Sequence, residues 1–347
     1  YKGKYMKNKI GDQTIIFKNK PKIIGHYSIV GEKEGNGPFK DYYHHIMKDD
    51  LFGEKSFEHA ERKMLEFVID NSIKVAKLGL NDIDLMIGGD LLNQIISTSF
   101  TARHFDRPFL GVYGACSTMA ESLAIGATFV DGGYRDNVVC ATGTHFSTAE
   151  RQYRFPLELG NQRPPTSQWT VTGAGSTVLS LGKKGHMITK ATLGKVTDYG
   201  IKDVNNMGAA MAPAAMSTLI SHFQDTKTSP DDYDLIVTGD LGKLGSEILM
   251  DLMEHNGYKL GKNYNDCGQM IFSNSQKSFQ GGSGCGCSAS ILNSYIIKKL
   301  DEGVFKNVLF AATGALLSTL SSQQGDSIPG VCHAVVIERC EDLDKKE

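Results

Sequence analysis

Val- and Ile-rich runs alternate with helix-length amphipathic segments along most of the chain. Ile15–Phe17 and Ile23–Ile29 are apolar, β-branched runs with Pro21 between them, and they predict two strands. Gly31–Gly53 is polar and rich in Gly, Tyr and His, which predicts a loop excursion. From Phe57 to Leu78 apolar residues recur at helical spacing, at Ala60, Met64, Phe67, Val68, Val75 and Leu78. Gly79 stands where a C-terminal cap is expected. Leu85–Ile87 and Leu110–Val112 predict short strands, and Met119–Val130 predicts a helix. Asn161–Trp169, with Pro164 and Pro165, and Gly200–Pro213 read as long connections that line a surface or a pocket.

An internal repeat organises the rest. Ile83-Asp-Leu-Met-Ile-Gly-Gly-Asp-Leu91 matches Tyr233-Asp-Leu-Ile-Val-Thr-Gly-Asp-Leu241 at five of nine positions, at an offset of 150. Val138-Val-Cys-Ala-Thr-Gly143 matches Leu309-Phe-Ala-Ala-Thr-Gly314 at an offset of 171. Between these anchors each half carries a small-residue turn before a helix, Gly114-Ala-Cys-Ser-Thr118 in one and Gly284-Cys-Gly-Cys-Ser288 in the other. Each half closes on a strand-like run, Thr177–Leu181 and Ala334–Glu338. The period is too long for a solenoid. It predicts a duplicated α/β domain, each half strand–helix–strand–helix–strand with a mostly parallel sheet. The halves are placed at residues 6–190, carrying Cys116, and 191–347, carrying the Gly-rich turn 281–287.

Composition narrows the function classes. The 37 basic and 39 acidic residues leave a net charge of −2, which argues against a phosphate-tracking nucleic-acid binder. Thirty-eight glycines with only nine prolines suggest tight turns and close backbone approaches, not a disordered linker. Seven cysteines is an odd count, and the chain is long enough to need no staples, so a reducing compartment is expected. Cys285-Gly-Cys287 is too closely spaced for a zinc knuckle, and no metal or cofactor is expected. No run of 18 apolar residues occurs, and no signal-peptide core precedes Met6, which is expected to be the native start; residues 1–5 are set aside as foreign to it. His44-His45 is not expected to hold a metal, Trp169 reads as a packing or interface anchor, and Met207, Met211 and Met216 read as core or pocket lining.

Cys116 is the most informative residue. It falls on the turn between a predicted strand and the N-terminus of a predicted helix, where backbone N–H groups and the helix dipole favour a thiolate. The same place offers amides to an oxyanion or a carboxylate, through Cys116, Ser117 and Thr118. A small buried Cys in a tight turn explains the local pattern equally well.

The duplicated halves and the Gly-Ala-Cys-Ser-Thr turn resemble the thiolase/ketoacyl-synthase superfamily, a layered αβαβα fold. Several stretches more closely resemble the stage V sporulation protein AD family. They are Ile83–Gln94, Gly114–Thr118, Thr148-Ala-Glu-Arg-Gln-Tyr-Arg154, Met211–Ala215, Tyr233–Leu241, Asn265–Gly268, Gly281–Cys285 and Ala311–Ser318. In the superfamily's enzymes a cysteine matching Cys116 is acylated, with imidazole and amide partners from the second half. Here the position matching the first imidazole is Gly239, beside Asp240, and the turn Gly282–Cys287 has no His or Asn. Glycine supplies only backbone, Cys285 is a weak donor, and a carboxylate at Asp240 repels developing negative charge. A binding protein on an enzyme's scaffold is therefore expected.

The family resemblance implies a ligand, dipicolinic acid (pyridine-2,6-dicarboxylate), free or as its calcium chelate, accumulated in the developing spore. It also implies partners among the other stage V sporulation A proteins at the spore membrane, a peripheral location there, and a homodimer. Such a planar dianion needs donors for two carboxylates. The Cys116 turn suits one, and the turn Gly281–Cys285, with Ser283 and Cys285, suits the other. His145 reads as a ligand donor, a substitute acid/base, or a satisfied loop histidine. Arg151 and Arg154 read as a carboxylate clamp, an ion pair with Glu150, or a subunit contact. Asp240, near Lys243, reads as a calcium-facing carboxylate or as a helix cap, and Asp90 has the same cap reading at the equivalent repeat position. The alternatives are a live acyltransferase or condensing enzyme in which His145 replaces the missing imidazole, and a structural subunit that binds no small molecule.

Overall fold

The computed structural model describes residues 8–153, 163–182 and 184–340. Arg154 and residues 1–5 lie outside them. Ten strands form the spine. The first five are β1 (Lys22–Val30), β2 (Leu85–Gly89), β3 (Phe109–Gly111), β4 (Asn137–Thr144) and β5 (Gly173–Ser180). The next five are β6 (His186–Thr192), β7 (Leu235–Thr238), β8 (Tyr264–Asp266), β9 (Asn307–Ala315) and β10 (Gly330–Glu338). Their spatial order is β8-β7-β9-β10-β6-β1-β5-β4-β2-β3. Each half therefore has the same order, 1-5-4-2-3 and 6-10-9-7-8, and the two meet through a short antiparallel contact of β6 with β1. Residue 190 lies within β6.

The sheets are mixed and not mostly parallel. β2 pairs in parallel with β3 and β4, and β7 with β8 and β9, whereas β4–β5, β5–β1, β9–β10 and β10–β6 are antiparallel. Strand pairing also corrects the repeat. Leu85 faces Val138, and its counterpart Leu235 faces Val308, so the true offset at β4 and β9 is 170. Asp84 accepts from the Asn137 N–H at 3.0 Å, and Asp234 accepts from the Asn307 N–H at the same distance, which fixes that register independently. The shared Ala-Thr-Gly is a sequence match one residue out of structural phase, and in a strand one residue changes the face.

Helices lie outside and between the two half-sheets. They are α1 (Phe57–Val75), α2 (Ile96–Phe105), α3 (Thr118–Asp131), α4 (Phe146–Tyr153), α5 (Met207–Thr226), α6 (Gly242–His255) and α7 (Cys285–Ile291). A π turn, Leu292–Ile296, carries α7 into a last helical turn, Ile297–Asp301. α1 covers β1, β4 and β5 on one outer face, and α5 covers β9 and β10 on the other. Between the half-sheets, α3 packs on β2 and β4 of its own half and on β9 and β10 of the other, and α7 reaches back to β1, β4 and β5. This is the five-layer αβαβα arrangement expected. It explains why the central strands are apolar throughout: along β9, Val308, Phe310 and Ala312 enter the core shared with α3, while Leu309 and Ala311 enter the core under α5.

Local chemistry sets the helix ends. α1 starts at Ser56, whose hydroxyl accepts from the His59 N–H, and buries Ala60, Met64, Leu65, Val68, Ile69 and Ile73. It stops three residues before the expected Leu78, because Lys77, and not Gly79, takes the left-handed conformation (φ +55°). Gly79 instead donates to Asp82 at the start of a 3₁₀ turn. The second half of the expected connection Gly200–Pro213 is helical: Asn206 caps α5, and Pro213 is buried within it. The excursion Gly31–Gly53 holds a short helical turn, Glu32–Gly35, and a two-residue strand, His45–Ile46.

Candidate functional site

The site lies where the parallel strands of both halves end. After β3 the chain makes the turn Gly114–Ser117, with Ala115 in the left-handed region (φ +49°), a strained conformation for a residue with a Cβ. The turn bonds to itself: Ser117 Oγ donates to the Gly114 carbonyl (2.7 Å) and Thr118 Oγ1 to the Ala115 carbonyl (2.7 Å). Gly314 at the end of β9 abuts it. A Cβ there would stand 2.2 Å from the Gly114 oxygen and 3.2 Å from the Cys116 nitrogen. Cys116 is thereby fixed at the head of α3, 8 % exposed.

The second half brings up Asp240 and the Gly-rich turn. Gly281 (φ +118°) and Gly284 (φ +99°) let the backbone of that turn pass close to its neighbours. Asp240 is fully buried. Its Oδ2 accepts from Ser283 Oγ (3.1 Å) and the Gly284 N–H (3.0 Å), and its Oδ1 accepts from Thr313 Oγ1 (2.9 Å). Asp240 is not a helix cap. The N–H groups of Leu241 and Gly242, at the start of α6, donate to Asp266 at 2.9 Å each. In the first half Asp90 does cap: it accepts from the Thr98 N–H (2.7 Å) and Oγ1 (2.7 Å) in α2 and from the Leu92 N–H (2.8 Å). The cap has moved to β8 in the second half, which frees Asp240 to face Cys116.

Of the two readings of Cys116, this pairing favours the buried thiol over the thiolate. Burial and the charge of Asp240 push the Cys116 thiol well above its ordinary value, so the sulfur keeps its proton and the carboxylate accepts it. Asp240 is itself raised to about 6, chiefly by burial, against hydrogen bonds from Cys116 and Gly284 that favour its ionised form.

Cys116 and Ser283 line a cavity of about 60 Å³, together with Leu91, Ala115, Ala149, Glu150, Tyr153, Gln168, Thr170, Met207, Met211, Ala315 and Leu317. An empty apolar cavity of about 150 Å³ admits benzene, so an aromatic ring enters here only if flexible side chains such as Met207, Met211 and Leu317 give way. No Lys, Arg or His lines it among the described residues. Arg163 pairs with Glu150 of the wall at 2.8 Å, and Thr170 Oγ1 donates to the same carboxylate (2.8 Å). Gln168 Nε2 clamps the two sides by donating to the carbonyls of Asp240 (2.6 Å) and Gly282 (2.8 Å).

The structure brings together Cys116, Asp240 and Ser283, confirms Met207 and Met211 as lining, and leaves Ser117, His145, Arg151, Lys243 and Cys285 outside the cavity. His145 is fully buried, donates from Nε2 to the Asp50 carbonyl (2.7 Å) and accepts at Nδ1 from the Ser147 N–H (3.1 Å). Both ring nitrogens are occupied and burial lowers its pKa, so it is the satisfied loop histidine and not a free acid or base. Arg151 pairs with Glu58 of α1 (3.0 Å), not with Glu150 or the cavity. Lys243 Nζ donates to Asn274 (2.7 Å), at the surface. Ser117 and Cys285 lie behind the wall, Ser117 bonded within its turn and Cys285 Sγ directed at the Gly143 carbonyl (3.2 Å). Among the described residues no group of three or more His, Cys, Asp or Glu side chains could hold a metal ion. Sequence reasoning missed Glu150, Tyr153 and Thr170 as lining, although Glu150 and Tyr153 sit in the Thr148–Arg154 stretch it had singled out, whereas Gln168 falls in the connection Asn161–Trp169 expected to line a surface or a pocket. Trp169 stacks on Phe146 (4.3 Å between centroids) with Lys33 and Arg163 over its ring, a packing anchor at the seam.

A sequence model of the family described as stage V sporulation protein AD (SpoVAD) matches residues 11–338. The stage V sporulation protein AD of Bacillus subtilis (strain 168) is 44 % identical over 329 residues, covering 95 % of this chain and 97 % of that one. Among solved structures, 3-oxoacyl-[acyl-carrier-protein] synthase III from Aquifex aeolicus VF5 is similar at a TM-score of 0.56 and 13 % identity, over 92 % of this chain and 99 % of that one. Human mitochondrial 3-ketoacyl-CoA thiolase is similar at 0.58 and 12 % identity, over 94 % and 99 %. Cerulenin-bound OleA of Xanthomonas campestris is similar at 0.59 and 12 %, over 93 % and 97 %. These likenesses establish the layered fold alone, whereas the close relative and the matched family model agree over nearly the whole chain: it belongs to the stage V sporulation protein AD family, on a thiolase-like scaffold.

Proposed function

We propose that this sporulation protein binds dipicolinic acid, free or as its calcium chelate, and does not catalyse acyl transfer. The observation that carries the second part is the Cys116–Asp240 pair. A carboxylate stands beside the nucleophile position, the thiol keeps its proton, and no imidazole lines the cavity among the described residues. Such a site neither activates the sulfur nor stabilises an enolate or oxyanion with a side-chain N–H. Family membership supports the sporulation role. Glu150 on the cavity wall is paired with Arg163, and the carboxylate of Asp240 behind Ser283 is the charge that favours a chelate turning its cation inward over the bare dianion.

The protein is proposed to work at the spore membrane with other stage V sporulation A proteins, as a homodimer; no helix among the described residues is long and apolar enough to cross a membrane. A second reading, a structural subunit without a small-molecule ligand, is favoured by the small size of the inner cavity.

Calorimetric titration of the protein with dipicolinate, with and without calcium, separates these readings. Saturable binding is expected, tighter with calcium. Absence of binding in every condition would leave the structural subunit. Mass spectrometry after incubation with acyl-coenzyme A is expected to find no acyl group on Cys116, and an adduct there would restore the enzyme reading.

A further inference from the structure

The end of the sheet opposite the Cys116 cavity carries a surface of a different kind. Backbone pairing sets Asn137, Ser180, Lys22, Met187, Glu338 and Asn307 side by side in one row, across β4, β5, β1, β6, β10 and β9. Five strand spacings separate the ends of that row, about 24 Å at the usual spacing. The cavity lies at the other end, where β9 finishes at Ala315. A helix-ending turn precedes each end of the row, and the two turns are copies of one another. The Gly133 N–H donates to the Val130 carbonyl (3.1 Å) and the Tyr134 N–H to that of Phe129 (2.9 Å). In the second half the Gly303 N–H donates to Leu300 (3.1 Å) and the Val304 N–H to Lys299 (3.0 Å). Gly133 (φ +70°) and Gly303 (φ +71°) take the left-handed conformation that this ending requires. The residue after such a glycine commonly packs back on its helix, yet Tyr134 is 67 % exposed and Val304 57 %.

The charges around these two tips are unequally tied down. Lys18, Lys20, Arg135, Lys298 and Lys306 are exposed at this end, and none of them forms an ion pair among the described residues. The carboxylates are held against the fold. Asp131 accepts from Asn8 (3.2 Å) and the Asn19 N–H (2.6 Å), and Asp301 pairs with His186 (2.9 Å). Glu302 pairs with Lys299 (2.7 Å), and Glu338 accepts from Thr189 Oγ1 (2.8 Å). Asp84 and Asp234 hold the backbone at the two strand starts. Of the two turns, only Asp136 keeps an exposed carboxylate without a partner among the described residues. The groups free to leave the surface and meet a partner are therefore cations.

We propose that this end of the molecule is a lipid-docking face: Tyr134 and Val304 enter the interfacial layer of an anionic bilayer, and the unpaired lysines and Arg135 meet its headgroups. The inference rests on the reading that the protein works at a membrane. Tyrosine suits that depth, with an apolar ring and a polar tip. Unpaired Lys and Arg are drawn to an anionic surface and need no fixed geometry from it. Two separate tips among cations do not make the contiguous apolar patch that the core of a protein interface needs. Each tip stands on the end of a central helix, so the pair fixes the orientation of the molecule. The Cys116 cavity then opens away from the bilayer.

The test is co-sedimentation of the full chain with vesicles of phosphatidylcholine alone and of phosphatidylcholine mixed with phosphatidylglycerol, at low and high salt. Wild type is compared with Tyr134→Ser/Val304→Ser, Arg135→Glu/Lys306→Glu and Val196→Ser/Tyr199→Ser, and unchanged thermal unfolding checks that each variant folds. Val196 and Tyr199 are comparably exposed (62 % and 60 %) beside Thr197, which bridges to Gly330 at the far end of β10. Wild type is expected to bind the anionic vesicles, and high salt to weaken that binding at least tenfold. Each of the two face variants is expected to weaken it at least tenfold, and Val196→Ser/Tyr199→Ser to stay within twofold of wild type. Wild-type binding that either face variant keeps within twofold, or that Val196→Ser/Tyr199→Ser loses instead, overturns this face and leaves the membrane reading standing. No wild-type binding to either vesicle overturns lipid docking altogether and leaves a protein partner as the route to the membrane.

Discussion

Asp90 and Asp240 occupy equivalent repeat positions and do different work, and the difference comes from one other residue. Asp266 caps α6, so Asp240 is spared that task and its carboxylate meets Cys116. Two predictions belong here. Asp240 titrates near 6 in the folded protein against 3.8 for the ordinary group, so the native state binds more protons than the unfolded state between those values. Ionisation therefore costs stability: the penalty is absent below about pH 4 and complete above about pH 6. A shift of about two units corresponds to about 3 kcal/mol. Asp240→Asn is expected to gain up to that amount relative to wild type between pH 4 and 7, read by urea denaturation across pH; a pH-independent difference would show that the carboxyl does not titrate there. Cys116 is expected to react with iodoacetamide at pH 7.5 at least tenfold more slowly than a thiol in an unstructured peptide, and Asp240→Asn is expected to speed it, read on the Cys116 peptide by mass spectrometry.

At the scale of elements, the two Gly-bearing turns are positioned by strands of the opposite half. Gly314 of β9 supports the Cys116 turn, and the Gly286 N–H in the first turn of α7 donates to Thr144 Oγ1 at the end of β4 (3.2 Å). The α6 terminus depends on Asp266, which also accepts from Thr238 Oγ1 (2.7 Å) and the Gln269 N–H (2.9 Å). Removing this buried acceptor leaves several backbone donors without partners, so Asp266→Ala is expected to cost about 3 kcal/mol or more in denaturant unfolding. Asp234→Ala, at an exposed strand-start contact, serves as the mild comparison.

For the whole molecule, the duplicated halves share one core. Met119 and Leu123 of α3 pack in the same cluster as Val308 and Phe310 of β9 and Ile291 of α7. Buried Asn293 joins them by polar contacts, accepting from Thr177 Oγ1 of β5 (2.7 Å) through its side chain and from His26 of β1 (3.0 Å) through its carbonyl. Neither half covers its inner sheet face alone, so cooperative unfolding is expected. Trp169, the only tryptophan, pairs with Gly282 of the other half. Its fluorescence is expected to change at the same urea concentration as far-UV circular dichroism, and separated midpoints would show that the halves unfold apart.

The sequence by itself determined the duplication, most of the strands and long helices, and the Cys116 turn. These are carried by hydrophobic period, turn residues and local identity, which are properties of neighbours along the chain. Only the tertiary structure decided the register at β4 and β9, because the Ala-Thr-Gly match is satisfied at 171 whereas backbone pairing and the Asp84 and Asp234 contacts require 170. Only the fold sent His145, Arg151 and Lys243 away from the cavity, since each found a nearer partner on an element distant in sequence or on a facing loop. It alone brought Glu150 and Thr170 to the wall, where no spacing rule could place them. The protonated thiol is the clearest case: a helix N-terminus favours a thiolate locally, but burial against a carboxylate supplied by the other half outweighs it.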